Sequence, residues 1–276
     1  MNCYLCNNTE TIRVKGTVRD KLDLKILKCT KCGLVYLENF NHITDKYYED
    51  SNMNDFSSLK DYADSCIDND NWRIEKYKSI LKDKNVLDFG SGLGGFVKGM
   101  EQYCKIDGCE IDTSWKTINT NIDVYSCLDE VPNRYYDYIT MFHVLEHLKD
   151  PKNIVKVLME KLNKNGSLFI EVPNSDDALL SLYDCEAFQK FTYWSCHLFS
   201  FNNKTLKKLI EDIGLKVNFT VQLQRYPLSN HLYWLSQGRP GGHKIWNDKF
   251  SKLNKDYEET LAKLEYCDTI IASVSK

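Results

Sequence analysis

Four cysteines open the chain in two C-x-x-C pairs, Cys3 with Cys6 and Cys29 with Cys32. Each pair makes a tight knuckle whose sulfurs reach one tetrahedral ion, and two knuckles complete a four-thiolate site. Residues 7–28 separate the pairs, and Thr11–Val18 and Leu22–Leu27 read as two short strands around a turn. This is the pattern of a small zinc ribbon over residues 1–38. Four buried thiols packed as small hydrophobes are the plainer alternative, but that alternative does not require paired spacing. Four thiolates leave no open position, so the expected zinc is structural. Such an ion supplies roughly 10–16 kcal/mol of folding free energy to a short segment.

A second group lies at Asp88-Phe89-Gly90-Ser91-Gly92-Leu93-Gly94-Gly95. Glycine lets a turn enter positive φ and lets backbone approach a ligand. The helix that follows favours polar or anionic groups at its start. The spacing fits G-x-G-x-G and also the dinucleotide fingerprint G-x-G-x-x-G, and an ordinary tight turn would use glycines too. Glu110, twenty residues beyond Gly90, can accept both hydroxyls of a ribose in either reading. Asp88 separates the two. A carboxylate there would repel a pyrophosphate and suits a ligand carrying a cationic amino group.

The third group is His143, Glu146 and His147, at the end of the apolar run Tyr138–Phe142. Their i, i+3, i+4 spacing puts them on one face if the segment is helical. An imidazole is a suitable general base near neutral pH, so His147 with Glu146 beside it is one arrangement. A divalent cation held by the set is another, and a strand cap with no chemistry a third. His197, in Trp194-Ser195-Cys196-His197, is a further base. Asn174, after Val172-Pro173, is suited to hydrogen-bond an acceptor, and Arg225, Asn230, His231 and the Arg239–His243 run are polar groups beside glycines and aromatics, suited to a sugar or phosphate. A structural turn would account for them equally well.

The elements that must position these groups follow from periodicity. Trp72–Leu81 has helical spacing. From Asn85, short apolar runs alternate with helical stretches: Val86–Phe89, Ile106–Ile111, Asp123–Tyr125, Tyr138–Phe142 and Ser167–Val172 as strands. Asp150 caps a helix with Pro151 at its first position, Gly214 closes another, and Leu215–Leu223 ends the pattern. Strand–helix alternation predicts an α/β, doubly wound, Rossmann-like sheet. It also divides the chain into a ribbon (1–38), a helical connector or lid (39–84), a core (85–223) and a substrate-side loop and helix (224–276). The connector carries Tyr47, Tyr48, Phe56 and Tyr62. The C-terminal stretch from Trp246 reads as an amphipathic helix.

The 276 residues carry a net charge of −3, and 42% are hydrophobic. This excludes a disordered chain and disfavours a nucleic-acid binder, which usually carries a basic field. No apolar run spans a membrane and no export signal opens the chain, so a cytoplasmic location is expected. The eleven cysteines are then reduced thiols or ligands, not a disulfide framework.

The motifs "VLDFGSGLGG", "GCEID" and "YDYITMFHVLEHLKDP" together resemble the class I S-adenosylmethionine-dependent methyltransferases, from Asn85 to about Leu223. The resemblance implies a seven-stranded sheet with a final antiparallel strand. It implies that Asp88 and the turn of Gly90, Ser91, Gly92 and Gly94 hold the methionine part of the cofactor and that Glu110 holds its ribose. Asp129 would lie near the adenine, and Ile111 and Phe142 are further cofactor-binding residues. The paired cysteines with "YYED", "EVPN" and "QRYPLSNHLYWLSQGRPGGH" are similar to a bacterial subgroup associated with surface-polysaccharide (capsule or lipopolysaccharide) building. This implies a sugar or nucleotide-linked sugar as acceptor. Relatives that methylate sugar carbon carry a further C-terminal domain, so oxygen is the expected acceptor here, with sugar carbon or another small phosphorylated acceptor as alternatives. Some relatives hold a metal through Glu-x-x-Glu-His, where His143 replaces the first acid in this chain. An RNA methyltransferase reading through the ribbon, a non-catalytic binding protein and a dehydrogenase are the readings from other classes.

Overall fold

A computed structural model describes residues 2–44, 47, 59–112 and 124–276, with side chains in the first helix from Cys66 onward. Tyr48, Phe56 and the side chain of Tyr62, expected in the connector, lie outside the described residues, as does Asp123.

The elements run β1 (Thr11–Arg13), β2 (Ile26–Cys29), β3 (Val35–Leu37), α1 (Leu59–Leu81), β4 (Asn85–Phe89), α2 (Gly95–Met100), β5 (Lys105–Cys109), β6 (Val124–Tyr125), β7 (Tyr136–Phe142), α3 (Pro151–Lys161), β8 (Leu162–Pro173), α4 (Ala178–Ser181), α5 (Glu186–Gln189), β9 (Phe199–Ser200), α6 (Asn203–Glu211), β10 (Lys216–Leu223), α7 (Leu228–Gln237), α8 (Gly242–Ile245), α9 (Asn247–Leu264) and β11 (Thr269–Ser275). Seven strands form the main sheet in the order β10-β11-β8-β7-β4-β5-β6, the α/β arrangement expected. The strand β4 pairs in parallel with both β5 and β7. The chain leaves β4 toward one side of the sheet and later returns on the other. The carboxyl end of β4 is therefore a topological switch point, where open α/β sheets bind ligands.

The chain divides into two compact units. One comprises Met1–Phe40, Leu145–Lys149 and Glu171–Ser273; the other comprises Asn41–Val144, Asp150–Ile170 and Val274–Lys276.

In the second unit, Tyr77 and Leu81 of α1 and Phe96, Val97 and Met100 of α2 share a core with Val86, Ile106, Phe142 and Phe169 of the strands. Five such side chains, at roughly 1.5–3 kcal/mol each when fully buried, hold α1 and α2 on the sheet. Helix α3 starts as read: Asp150 accepts the Asn153 N–H (3.3 Å) and Pro151 follows. The strand β8 is longer than expected and contains Asn165-Gly166. A Cβ on Gly166 would stand 3.0 Å from the Tyr136 and Asp137 carbonyls, so glycine here permits close strand approach and does not end the connection.

In the first unit, the ribbon strands are shorter than the apolar runs suggested, and β3 and β9 extend them to a four-stranded sheet, β1-β2-β3-β9. At Gly16 (φ +109) a side chain would meet the Gln189 carbonyl at 2.5 Å. The ribbon thus abuts the later segment of its own unit through bare backbone.

The sequence pattern does not announce several of the described elements, among them β3, β9 and the short helices α4, α5 and α8. The seventh strand, β11, comes from beyond residue 223, and Leu228–Gln237 is a helix where a loop was expected.

Candidate functional site

Asp88 ends β4 inside the sheet. It is 4% exposed and accepts a 2.6 Å hydrogen bond from the Thr140 hydroxyl of β7. Burial pushes its carboxyl up to about 7, against the opposing effects of the Thr140 bond and the Arg73 charge. The turn that follows needs its glycines. Gly90, Gly92 and Gly94 have φ of +76°, +54° and +75°, a region costly for other residues. A Cβ on Gly90 would also stand 2.3 Å from a Val144 methyl, whereas Gly92 faces open space. Ser91's buried hydroxyl has no hydrogen-bond partner among the described residues.

Glu110 follows β5 and braces this turn. Its carboxylate accepts the Gly92 N–H at 2.8 Å and the Asp112 N–H at 3.0 Å. Burial raises its pKa, and the backbone bonds oppose the shift. A carboxylate offers about four lone-pair sites, so two remain for a diol. Ile111 beside it is 47% exposed, and Asp129 lies exposed in the turn after β6. Phe142, expected at the cofactor, is 9% exposed and packs edge-on against Phe96.

Two residues of α1 join this group and were not singled out in the sequence. The Arg73 guanidinium carbon lies 4.8 Å from the Phe142 ring centroid, and the guanidinium is 3.8 Å from Asp70. Asp70 comes so close to Gly95, at the start of α2, that a Cβ there would meet its carboxylate at 2.1 Å. Burial pushes Asp70 up to about 6, with Arg73 opposing. Their i, i+3 spacing just before β4 was the available signal. His143 closes the unit's set. Its φ of +55 is rare for a non-glycine and costs of order 1–3 kcal/mol, a strain typical of functional sites.

The first unit holds the other groups. His147 ends a single 3-10 turn, Leu145–His147. Its ring stands 4.8 Å from that of His197, nearly perpendicular. With Cys196 they form one cluster whose donor atoms all lie within 4.8 Å of one another. Among the described residues, neither Glu146 nor His143 belongs to it. The set His143/Glu146/His147 spans the two units; within the first unit the single 3-10 turn carries His147 into the cluster with Cys196 and His197. Glu146 is 1% exposed, and its carbonyl accepts the Leu198 N–H at 2.8 Å. Burial raises the Cys196 thiol.

His197 lines a cavity of about 20 Å³ with Asn174 and Thr192. A cavity of about 220 Å³, lined by Lys15, Lys28, Asp176 and Gln189, shares Ser175, Leu180 and Tyr193 with it.

The proposed substrate residues are occupied by structure. The Asn174 amide donates to the Gln222 side chain and to the Glu265 and Cys267 carbonyls. His231 is 1% exposed, with one ring nitrogen 2.7 Å from the Tyr257 hydroxyl and the other 3.1 Å from Gln224. Burial lowers its pKa to about 4. Asn230 accepts from the Gly241 N–H and lies 3.2 Å from His243. Arg225 sits between Asp268 (3.7 Å) and Glu171 (4.0 Å). Asn174 thus ties the end of β8 to the Glu265 and Cys267 carbonyls, His231 ties α7 to Tyr257 and Gln224, and Asn230 ties it to Gly241 and His243.

The four ribbon cysteines converge. Cys3 and Cys32 sulfurs are 3.4 Å apart and Cys6 and Cys29 sulfurs 3.5 Å, and all four lie within 4.8 Å. Sulfurs around one zinc at about 2.3 Å stand roughly 3.8 Å apart, so the set fits the ion. Asn7 (φ +56) and Gly33 (φ +84) follow the two pairs and turn the knuckles alike. None of the eleven cysteines is joined in a disulfide.

Comparisons with known proteins agree with this geometry. The Ubiquinone biosynthesis O-methyltransferase of Neisseria meningitidis serogroup C (strain 053442) is 25% identical over 162 residues, 51% of this chain and 62% of that protein. The match thus spans less than two thirds of that curated relative. A SAM dependent methyltransferase from Archaeoglobus fulgidus superposes with a TM-score of 0.52 at 20% identity, covering 74% of this chain and 91% of the other. A chain from the complex between the Haloferax volcanii Trm112 methyltransferase activator and a methyltransferase superposes at 0.53 and 11% identity, covering 78% and 94%. At these identities the two structures show the fold. The sequence profile described as Methyltransferase domain matches residues 73–218, from Arg73 through the glycine turn and both histidine segments to β10, and the chain belongs to that family.

Proposed function

We propose that the chain is an S-adenosylmethionine-dependent methyltransferase that methylates a hydroxyl of a small acceptor, a sugar or nucleotide-linked sugar. The observation that carries the reading is the buried Asp88 at the switch point, beside the positive-φ turn and Glu110. When bound, the cofactor supplies a methyl group on a sulfonium, already activated for in-line displacement. What remains for the protein is alignment, which can be worth about 7–11 kcal/mol.

Asp88 would hold the cationic amino group of the cofactor and Arg73 its carboxylate. The Ser91 hydroxyl, which has no partner among the described residues, would offer a further hydrogen bond to the cofactor. Glu110 would take the ribose diol, with Ile111 and the turn carrying Asp129 beside the adenine. On the acceptor, His147 and His197 are the groups that act on the hydroxyl. Ser175, Asp176, Gln189 and Tyr193 line a cavity and offer donors, acceptors and a ring face to a polyhydroxylated ligand. The O-methyltransferase relative supports an oxygen acceptor. A zinc ion in the four-cysteine set would hold the ribbon as a structural module.

The test is label transfer from S-adenosylmethionine to a panel of nucleotide sugars, phosphorylated small acceptors and RNA. Transfer to a sugar hydroxyl is expected. Transfer to RNA alone would replace the acceptor, and NAD rather than S-adenosylhomocysteine raising the melting temperature would end the reading.

A further inference from the structure

We propose that His147, Cys196 and His197 form a second metal site, for a divalent cation of the zinc type, with one coordination position left open. Two imidazoles and one thiol converge with all donor atoms within 4.8 Å. Zinc bound at about 2.0–2.3 Å by tetrahedral nitrogen and sulfur brings donors roughly 3.3–3.6 Å apart, so closure takes shifts of about an ångström. The fold already fixes the two backbones that carry the ligands. The Glu146 carbonyl accepts the Leu198 N–H at 2.8 Å, which ties the His147 turn to the segment holding Cys196 and His197. That segment is held from its other side by Asp20, which accepts the Ser195 N–H and hydroxyl at 2.9 and 2.6 Å.

The donor set selects the ion. Sulfur and imidazole favour zinc and its borderline-soft neighbours over magnesium or calcium, which take oxygen ligands. The set also differs in kind from the ribbon. Four thiolates close a tetrahedron, whereas three protein ligands leave a place for a fourth, the arrangement of catalytic zinc sites. The role of that open place rests on the methyl-transfer reading. It would bind the acceptor's hydroxyl and lower its pKa, as zinc does for water. The two histidines then act on the acceptor together, as ligands. The site itself stands or falls without that reading.

The experiment is metal counting on the full chain, reconstituted with zinc or cobalt(II) under reducing conditions, in the wild type and in Cys196→Ala and His147→Gln. One more equivalent per chain is expected in the wild type than in either variant. The cobalt form should lose part of its thiolate charge-transfer absorption in Cys196→Ala and keep the larger part from the ribbon. Circular dichroism and the melting shift caused by S-adenosylhomocysteine report whether each variant is folded. Equal metal content in the wild type and the folded variants overturns the site. Loss of S-adenosylhomocysteine binding in the wild type would instead overturn the methyltransferase reading and leave the metal count to stand by itself.

Discussion

The Asp20 carboxylate, in the loop between the ribbon strands, accepts both the backbone N–H and the hydroxyl of Ser195, at 2.9 and 2.6 Å. Next to it, Arg19 donates its N–H to the Tyr193 carbonyl (2.9 Å), and its guanidinium lies over the Trp194 ring at 4.1 Å. The ribbon therefore grips the segment that presents Cys196 and His197. Hydrogen bonds to a charged group are worth about 1.5–3 kcal/mol. Asp20→Ala should lower stability by an amount of that order in urea unfolding. Turnover should fall several-fold, with S-adenosylhomocysteine affinity unchanged in calorimetry. A variant with full turnover would show that the grip does not set His197.

Gly90→Ala tests the turn. The new methyl would need the space of a Val144 side-chain carbon 2.3 Å away, at a φ of +76. Strain of about 1–3 kcal/mol should appear as a roughly 5–150-fold loss in S-adenosylhomocysteine affinity. Gly92→Ala has open space and only the φ penalty, so its loss should be smaller. The reverse ranking would contradict the turn geometry.

Glu110→Ala removes both the brace on the Gly92 N–H and the acceptor for the ribose diol. Cofactor affinity should fall by roughly 10–100-fold, the equivalent of about 1.5–3 kcal/mol. Glu110→Gln should fall between, because its amide keeps one acceptor oxygen.

The raised Asp88 carboxyl gives a pH dependence of definite sign. Its pKa moves from 3.8 to about 7 through burial, so the folded, ligand-free chain holds a proton that the unfolded chain has released. That contribution to stability is fully present below about 3.8 and is lost as pH rises through about 7. A cationic amino group favours the ionised form instead, so cofactor affinity should climb from pH 6 to about 8 and then level off. Asp88→Asn should bind more weakly and lose most of this slope. Asp70, also raised by burial, faces the same turn, and the Asp88→Asn/Asp70→Asn pair separates the two.

Removal of metal should unfold the ribbon first. A chelator strong enough for four thiolates should expose the Trp194 region through loss of the Arg19 and Asp20 contacts, seen as a change in tryptophan fluorescence. Cys29→Ser should do the same without chelator. An unchanged spectrum in both cases would mean that the ribbon holds its shape by packing alone.

The parts legible in the sequence are those whose signal is local. Asp88, the glycine turn and Glu110 sit within 23 residues and declare a strand, a turn and a helix by type and spacing. The four cysteines declare a ligand set in the same way. Arg73 and Asp70 carried only an i, i+3 spacing, because their meaning comes from α1 lying on α2 against the sheet. Cys196 looked incidental since its partner His147 is 49 residues away. Asn174 stands out in the sequence by its place after Val172-Pro173, and Asn230 and His231 as polar residues next to glycines and aromatics. The Asn174 partners Gln222, Glu265 and Cys267 and the His231 partner Tyr257 are distant in sequence, so their hydrogen bonds could not be read from it. The α7 helix was harder to read because its buried residues mix Ser229, Asn230 and His231 with Tyr233 and Trp234, which blurs the apolar stripe.

The position of β11 has a consequence for synthesis. It lies between β10 and β8 in the sheet order, yet it is the last of the seven strands to leave the ribosome. The edge of β8 stays open from Pro173 until Thr269 emerges, roughly 5–20 s later at about 5–20 residues per second. During that interval a nascent chain offers an unpaired strand edge, the kind of template that other chains can join. A ribosome stalled between α7 and α9 should therefore hold this chain in a protease-sensitive, aggregation-prone form that completion of the final strand removes.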